Sequence, residues 1–376
     1  MESFTIDVPQ QQLDDLRVRL ERVRWPATLE GADWDYGTDE QFLRGVVDHW
    51  TDRYDWRRVE AELNDVGSFV TDAAGQRLHF LHRPSDAADA IPLVLTHGWP
   101  GSIVEFLDAL PALRERFHVV VPSMPGYGFS GPTRERGVDV HRVADAVAAL
   151  MAELGYERYV AQGGDWGALV TRRLGEAYGK HAVAIHCNML FAMPEPGDPD
   201  AMAGVTDADL ARFAAAATRI KDGIGYMAIQ STRPNTLGFG LEDSPVGLAG
   251  WILEKFHAWC DTRDGIPIVV DRLLDNVMLY WLTGTATSAA RLYAESARAG
   301  TSATDPWSGK VDVPTGHAVY PYELLQTPRA WADRRYPIVH WTEQPAGGHF
   351  AAFEQPALFA ADLHRFADTV RTLDVL

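Results

Sequence analysis

An α/β fold, a mostly parallel sheet with helices on both faces, is what this sequence predicts, and three observations carry the prediction. Short apolar runs recur along the chain: PLVLT at 92–96, HVVV at 118–121, YVA at 159–161 and AVAIHC at 182–187. Runs without alternation belong to strands covered on both faces, as in a parallel sheet. Helical patterns separate them, the clearest placing Val140, Val143, Val147, Leu150 and Leu154 on one stripe. Finally, the alternation lapses after about residue 190 and resumes near 312, so one sheet continues past a long insertion.

Taken in order, the chain opens on helical text. Leu13, Leu16, Leu20 and Val23 fall three and four apart until Pro26 ends the pattern, and a second helix is expected over 40–62 through Phe42, Val46, Val47, Trp50, Tyr54 and Trp56. Such an aromatic stripe needs a partner surface, so 1–65 reads as an N-terminal helical arm. A β-hairpin follows, with strands at 68–71 and 78–81 around a turn at 72–75, and it opens the first part of the core over 66–189. Residues 190–300 carry helical, aromatic-rich text at 213–226, 245–259 and 273–293 and are expected to form an inserted lid. The second part of the core, 301–376, holds strands at 312–319 and 337–342, a helix near 327–334 and a terminal helix over 356–370.

Composition bounds the partners. The 376 residues suit two units or one large domain with insertions, and the 46% hydrophobic content supports a sizeable core. A formal net charge of −18 repels phosphate backbones and anionic lipid, which leaves a neutral small molecule as the easier ligand and argues against nucleic acid or membrane. Only Cys187 and Cys260 are present, too few for a disulfide framework. The start, MESFTID, lacks the charged and apolar regions of a signal peptide, so a cytoplasmic, soluble protein is expected. The histidines show no cysteine or carboxylate grouping at ligand spacing, and no metal or cofactor is expected.

The residues that carry chemistry begin at Gly163-Gly164-Asp165-Trp166-Gly167, between an apolar strand and a helix expected over 168–178. Small residues around a central nucleophile on such a turn form the nucleophile elbow of the α/β-hydrolase fold, in which glycines permit the sharp turn and the central side chain projects over the sheet. Alone, Asp165 fits a helix N-cap equally well. Its company separates the two readings. Gly347-Gly348-His349-Phe350 puts a histidine after the last strand, where a general base belongs, and the chain order nucleophile, acid, base calls for a carboxylate between them. Glu323 meets that requirement just beyond the strand at 312–319, whereas Asp305, Asp312 and Asp333 fall in a loop, at a strand start and inside a helix. His97-Gly98-Trp99-Pro100 follows another strand. There the backbone N–H of Trp99 is expected to form half of an oxyanion hole, with that of Trp166 as the other half. His97 itself is expected to hold the loop by hydrogen bonding.

An aspartate at the elbow restricts the reaction. Its attack on an ester carbonyl would give an anhydride, whereas displacement at saturated carbon gives an ordinary ester that water cleaves. The expected substrate is an epoxide or an alkyl halide. A halide leaves as a stable anion, but an epoxide oxygen leaves as a basic alkoxide and needs a proton, which a tyrosine of pKa about 10 can supply.

At this point the sequence resembles the epoxide hydrolases of the α/β-hydrolase superfamily, in their microsomal-type branch with its N-terminal arm. The resemblance covers nearly the whole chain. It is carried by FTIDVP at Phe4 through Arg24-Trp25-Pro26, YDWR at Tyr54, HGWP at His97, GGDWG at Gly163, DSPVGL at Asp243, NVMLYW at Asn276 and GGHFAAF at Gly347. Similar enzymes hold the epoxide oxygen with two lid tyrosines, one in a Gly-Tyr-Met string and one in an Arg-aromatic-Tyr string. The resemblance therefore implies these roles for Tyr226 and Tyr293, with Leu292 a departure where the family commonly has an aromatic residue. The mammalian members carry an N-terminal membrane helix that this sequence does not show, and the resemblance admits a homodimer that no residue here demonstrates.

The implied reaction is cofactor-free hydrolysis of an epoxide to a vicinal diol through an Asp165 ester, with water activated by His349 and Glu323. Trp251, Trp259, Phe239 and Trp281 are candidates to line an apolar lid pocket, or else plain lid core. Two rivals stay open: a haloalkane dehalogenase, which shares the aspartate and does not need the tyrosine pair, and a non-catalytic binding protein on the same scaffold. Detoxification and a step in specialised metabolism both fit.

Overall fold

Nine strands form one sheet in a computed structural model that describes residues 1–301 and 310–376. They are β1 (Glu2–Ser3), β2 (Ser68–Ala73), β3 (Gln76–Arg83), β4 (Ile91–Thr96), β5 (Phe117–Pro122), β6 (Tyr159–Gly163), β7 (Ala182–Cys187), β8 (Thr315–Val319) and β9 (Ile338–Glu343). Their spatial order is β1-β2-β3-β5-β4-β6-β7-β8-β9. The first four neighbours pair antiparallel, and every pairing from β5 to β9 is parallel.

The apolar runs account for this order. Leu93, Val94, Val120, Val160, Ala161 and Ile185 are buried in the central strands, where each large aliphatic side chain contributes about 1.5–3 kcal/mol by leaving water. Strand β9, at the edge, stays partly exposed. The hairpin β2–β3 closes on Ala74-Gly75, both at positive φ (49° and 76°), the two-residue turn whose twist matches its strands. The strand order reverses at β4, which has β5 on one side and β6 on the other. In open α/β sheets, ligands bind beyond the carboxyl ends of the strands at such a reversal.

Helices cover the sheet and add two accessory layers. The arm contributes Gln10–Glu21, Glu40–Asp52 and Trp56–Val66. Between β7 and β8 the described chain passes through helices Asp207–Ile220, Gly225–Thr232, Pro234–Asp243, Pro245–Trp259, Val270–Thr283 and Ala286–Ala299. The arm is tied to this insertion through Asp275, which accepts from Tyr54 Oη at 2.9 Å and from Arg58 Nη2 at 2.7 Å. Among the described residues, no helix is long and apolar enough to cross a membrane.

Three long helices expected from sequence prove to be pairs. The one at 40–62 breaks because Arg53 leaves helical φ/ψ and Asp55 caps a new helix by accepting from the Arg57 N–H. That at 213–226 is interrupted by a tighter turn at Lys221–Gly223. The one at 273–293 stops at Gly284, whose left-handed φ of 58° ends helix Val270–Thr283. The strand expected from 312 begins only at Thr315, and the helix expected near 327–334 shortens to Arg329–Ala332. Asp305 lies outside the described residues.

Candidate active site

Asp165 sits at the tip of the β6 turn with φ of 51°, a left-handed conformation that costs a non-glycine residue about 1–2 kcal/mol. The turn makes the surrounding glycines physically necessary. A Cβ on Gly167 would lie 1.9 Å from the Thr96 carbonyl oxygen, and one on Gly163 would lie 2.1 Å from the Gly167 carbonyl oxygen. Helix Asp165–Ala177 can therefore approach β4 closely enough for the HGWP loop to reach the carboxylate. There the Trp99 N–H donates to Asp165 Oδ1 at 2.9 Å. The Trp166 N–H lies in the first turn of its helix, where backbone donors lack an intrahelical partner, and it makes no hydrogen bond to Asp165 among the described residues.

His349 and Glu323 converge on the same carboxylate from the ends of β9 and β8. His349 Nε2 is 3.2 Å from Asp165 Oδ2, and Nδ1 donates to Glu323 Oε1 at 2.7 Å. Glu323 Oε1 is also held by the Leu324 N–H at 2.6 Å. Burial works against the imidazolium, but the charges of Glu323 and Asp165 and their hydrogen bonds outweigh it and hold His349 well above the usual histidine range. The His349 N–H donates to the Trp259 carbonyl at 3.0 Å, anchoring His349 to the end of helix Pro245–Trp259.

Both lid tyrosines reach the site, and the rings of Trp99 and Trp166 hold them there. The Trp99 ring stacks on Tyr226 with centroids 4.9 Å apart and planes at 10°, and Trp166 meets Tyr293 edge-on at 4.6 Å. The two phenol rings lie 5.9 Å apart. Burial, reinforced by the Asp165 charge, pushes Tyr226 far above its ordinary pKa. Burial, with nearby Tyr226 and Asp165, does the same for Tyr293. Both stay protonated donors, and the buried Tyr293 Oη has no well-formed hydrogen bond among the described residues. An oxygen placed between them would satisfy it.

The architecture has relatives. The profile for the N terminus of epoxide hydrolases matches residues 1–106, and that of the alpha/beta hydrolase fold matches residues 91–219. A provisionally named epoxide hydrolase of Stigmatella aurantiaca is 44% identical over 374 residues, covering 96% of this chain and 83% of the other. Epoxide hydrolase 1 of Sus scrofa is 35% identical, with 96% and 87% covered. The chain belongs to the epoxide hydrolases. The solved epoxide hydrolase of Aspergillus niger superposes with a TM-score of 0.87 at 34% identity, over 98% of this chain and 96% of that one.

In this epoxide hydrolase, Asp165 separates two cavities. On the lid side lies one of about 420 Å³, lined by Asp165, Tyr226, Tyr293 and Trp259 together with Met189, Phe191, Met193, Ile224 and Leu324. On the other side is a pocket of about 20 Å³ that touches Asp165, His349 and Glu105. The apolar lining of the larger one escaped sequence reasoning. Its signal was proximity, since Phe191 and Met193 follow β7 and Leu324 adjoins Glu323.

Of the four expected pocket residues, only Trp259 lines that cavity. Trp251 sits eight residues earlier on the same helix, about 12 Å along its axis, and donates to Gln230 Oε1 at 3.1 Å near the arm. Phe239 is 82% exposed. Trp281 is turned about 100° from the inward Tyr280 and packs under the Arg19 guanidinium at 5.6 Å. His97 keeps its expected place in the loop: its Nε2 accepts from the Met124 N–H at 3.2 Å and Nδ1 faces the Gly98 carbonyl at 3.0 Å, while burial lowers its pKa to about 4.

One grouping was invisible in the spacing. His186, His340 and Asp362 come together in the core. Asp362 there meets His186 Nε2 at 2.9 Å and accepts from Thr342 at 2.7 Å, Gln344 at 3.2 Å and Arg365 at 2.9 Å. Its carboxylate is fully engaged within the protein.

Proposed function

We propose that this epoxide hydrolase opens a neutral, largely apolar epoxide to a vicinal diol through an ester of Asp165. The observation that carries the reading is the ion pair between His349 and Asp165 facing two protonated tyrosines across an apolar cavity. Tyr226 and Tyr293 hold the epoxide oxygen while Asp165 Oδ2 attacks a ring carbon. Oδ1, already on the Trp99 N–H, becomes the ester carbonyl oxygen.

Protons balance within the site. The opened alkoxide takes a proton from the tyrosines, which regain it from His349. Esterification removes the Asp165 charge that had supported the imidazolium, so the neutral form of His349 becomes available as base. It takes a proton from water as the water oxygen bonds to the ester carbon, and the oxyanion stays on the Trp99 N–H. A preorganised donor of this kind is worth on the order of 3 kcal/mol. Trp166 supplies a second such donor in this reading.

A single turnover in heavy-oxygen water tests the route. The first diol is expected to be unlabelled, with the label in Asp165; label in that diol overturns the ester. A halide-release assay on chloroalkanes is expected to be negative, because the paired phenols serve an alkoxide and a departing halide has no need of their protons. The apolar cavity favours epoxides that are neutral.

A further inference from the structure

The small cavity behind Asp165 has Gly98, Gly101, Glu105, Gly164, Asp165 and His349 in its wall, with Asn188 and four aromatic residues also lining it. Its volume of about 20 Å³ exceeds the roughly 10–15 Å³ that one water needs and is too small for an epoxide. Three of its walls are glycines whose missing side chains keep it open. A Cβ would lie 2.3 Å from Asp165 Oδ1 at Gly98, 2.8 Å from Glu105 Oε2 at Gly101 and 2.6 Å from Asn188 Nδ2 at Gly164.

Glu105 stands on the short turn Ile103–Phe106, directly after the HGWP loop. Its exposure is intermediate overall, yet no group among the described residues hydrogen-bonds to its carboxyl. A carboxyl with no protein hydrogen-bond partner among the described residues, on the wall of a water-sized cavity that Asp165 and His349 also line, is free to bind a water there. Burial, opposed by the His349 charge and aided by that of Asp165, pushes Glu105 up to about 8. At neutral pH it therefore adds no negative charge beside the ester.

We propose that Glu105 is a positioning residue that holds the hydrolytic water in this cavity. The inference rests on the ester route above. One water proton faces His349 Nε2 and the other the carbonyl oxygen of Glu105, which leaves a lone pair aimed at the ester carbon. As the water oxygen bonds to that carbon, its proton passes to His349, and the bond to the diol oxygen breaks. The diol oxygen takes the proton from the imidazolium, the new Asp165 carboxylic acid returns one to His349, and Glu105 keeps its own proton throughout.

Single-turnover kinetics with styrene oxide, followed by intact mass, tests this with two variants. Glu105→Leu is expected to form the ester at the wild-type rate within about twofold and to cleave it at least about tenfold more slowly, so that the ester accumulates. Glu105→Gln keeps a carbonyl acceptor of the same size and is expected to restore cleavage to within about threefold of wild type. Should the leucine variant fail to fold, Glu105→Asp, which withdraws the carboxyl by one methylene, is expected to show the same split. Wild-type cleavage in Glu105→Leu, or an equal slowing of both steps in every variant, overturns the role of Glu105 alone. Failure to trap any ester, in wild type or in His349→Gln, overturns the ester route and this proposal with it.

Discussion

The two sides of Asp165 differ in size and lining. On the lid side the carboxylate faces about 420 Å³ walled by methionine, phenylalanine and leucine, with two phenols as its main polar features. On the sheet side it faces about 20 Å³ where glycines, Glu105, Asn188 and His349 share the wall with Trp99, Phe106, Phe350 and Phe359. Ring opening needs proton donors and exclusion of water, whereas ester cleavage needs one water and a base. In the proposed route, the place of Asp165 between the two cavities lets a single residue serve both steps.

The largest effect that breaks this comparison is on the sheet side. His349→Gln is expected to lower steady-state turnover by roughly 10³-fold while ester formation survives, seen as a lasting mass increase after one equivalent of epoxide. A variant that neither turns over nor gains mass would show that the base also serves the first step. On the lid side, Tyr293→Phe is expected to slow ester formation by about 10²-fold and leave ester decay within about threefold, as measured by rapid quench. Equal slowing of both steps would erase the distinction between the cavities.

The smallest effect sharpens the comparison through stability. A carboxyl whose folded pKa is raised to about 8 from 4.5 keeps its proton in the folded state while the unfolded chain ionises. Glu105 therefore costs stability that grows as pH rises from about 4.5 to 8 and is constant above that. Glu105→Gln removes this titration, so its melting temperature relative to wild type is expected to climb by roughly a few degrees between pH 5 and pH 8. A difference that stays flat with pH would place the carboxyl in water.

Much of the candidate site was legible because the elbow is local: Asp165, Trp99 and the strand before each are written in consecutive residues. The two tyrosines came through strings that resemble a family, and periodicity alone did not single them out among the lid aromatics. Distances along a helix explain the failures. Trp251 and Trp281 share a composition with Trp259, but rotation and rise carry them to the arm, and only three-dimensional packing distinguishes them. The rings of Trp99 and Trp166 were expected to matter through their backbone; that they also brace Tyr226 and Tyr293 depends on how the lid lands. Glu105 gave no signal, since nothing in IVEF shows which way its carboxyl turns.

The helix Val270–Thr283 has a bearing on engineering. Asn276 Nδ2 donates to the Pro100 carbonyl and Tyr280 Oη to that of Gly101, both at 2.7 Å, while Asp275 of the same helix is gripped by Tyr54 and Arg58 of the arm. The loop that presents the Trp99 N–H is thus suspended from a segment that itself hangs from the N-terminus. A chimera that exchanges the lid alone would cut both suspensions. The smallest graft that keeps them takes the arm and this helix from one parent and joins them to a loop of the same descent.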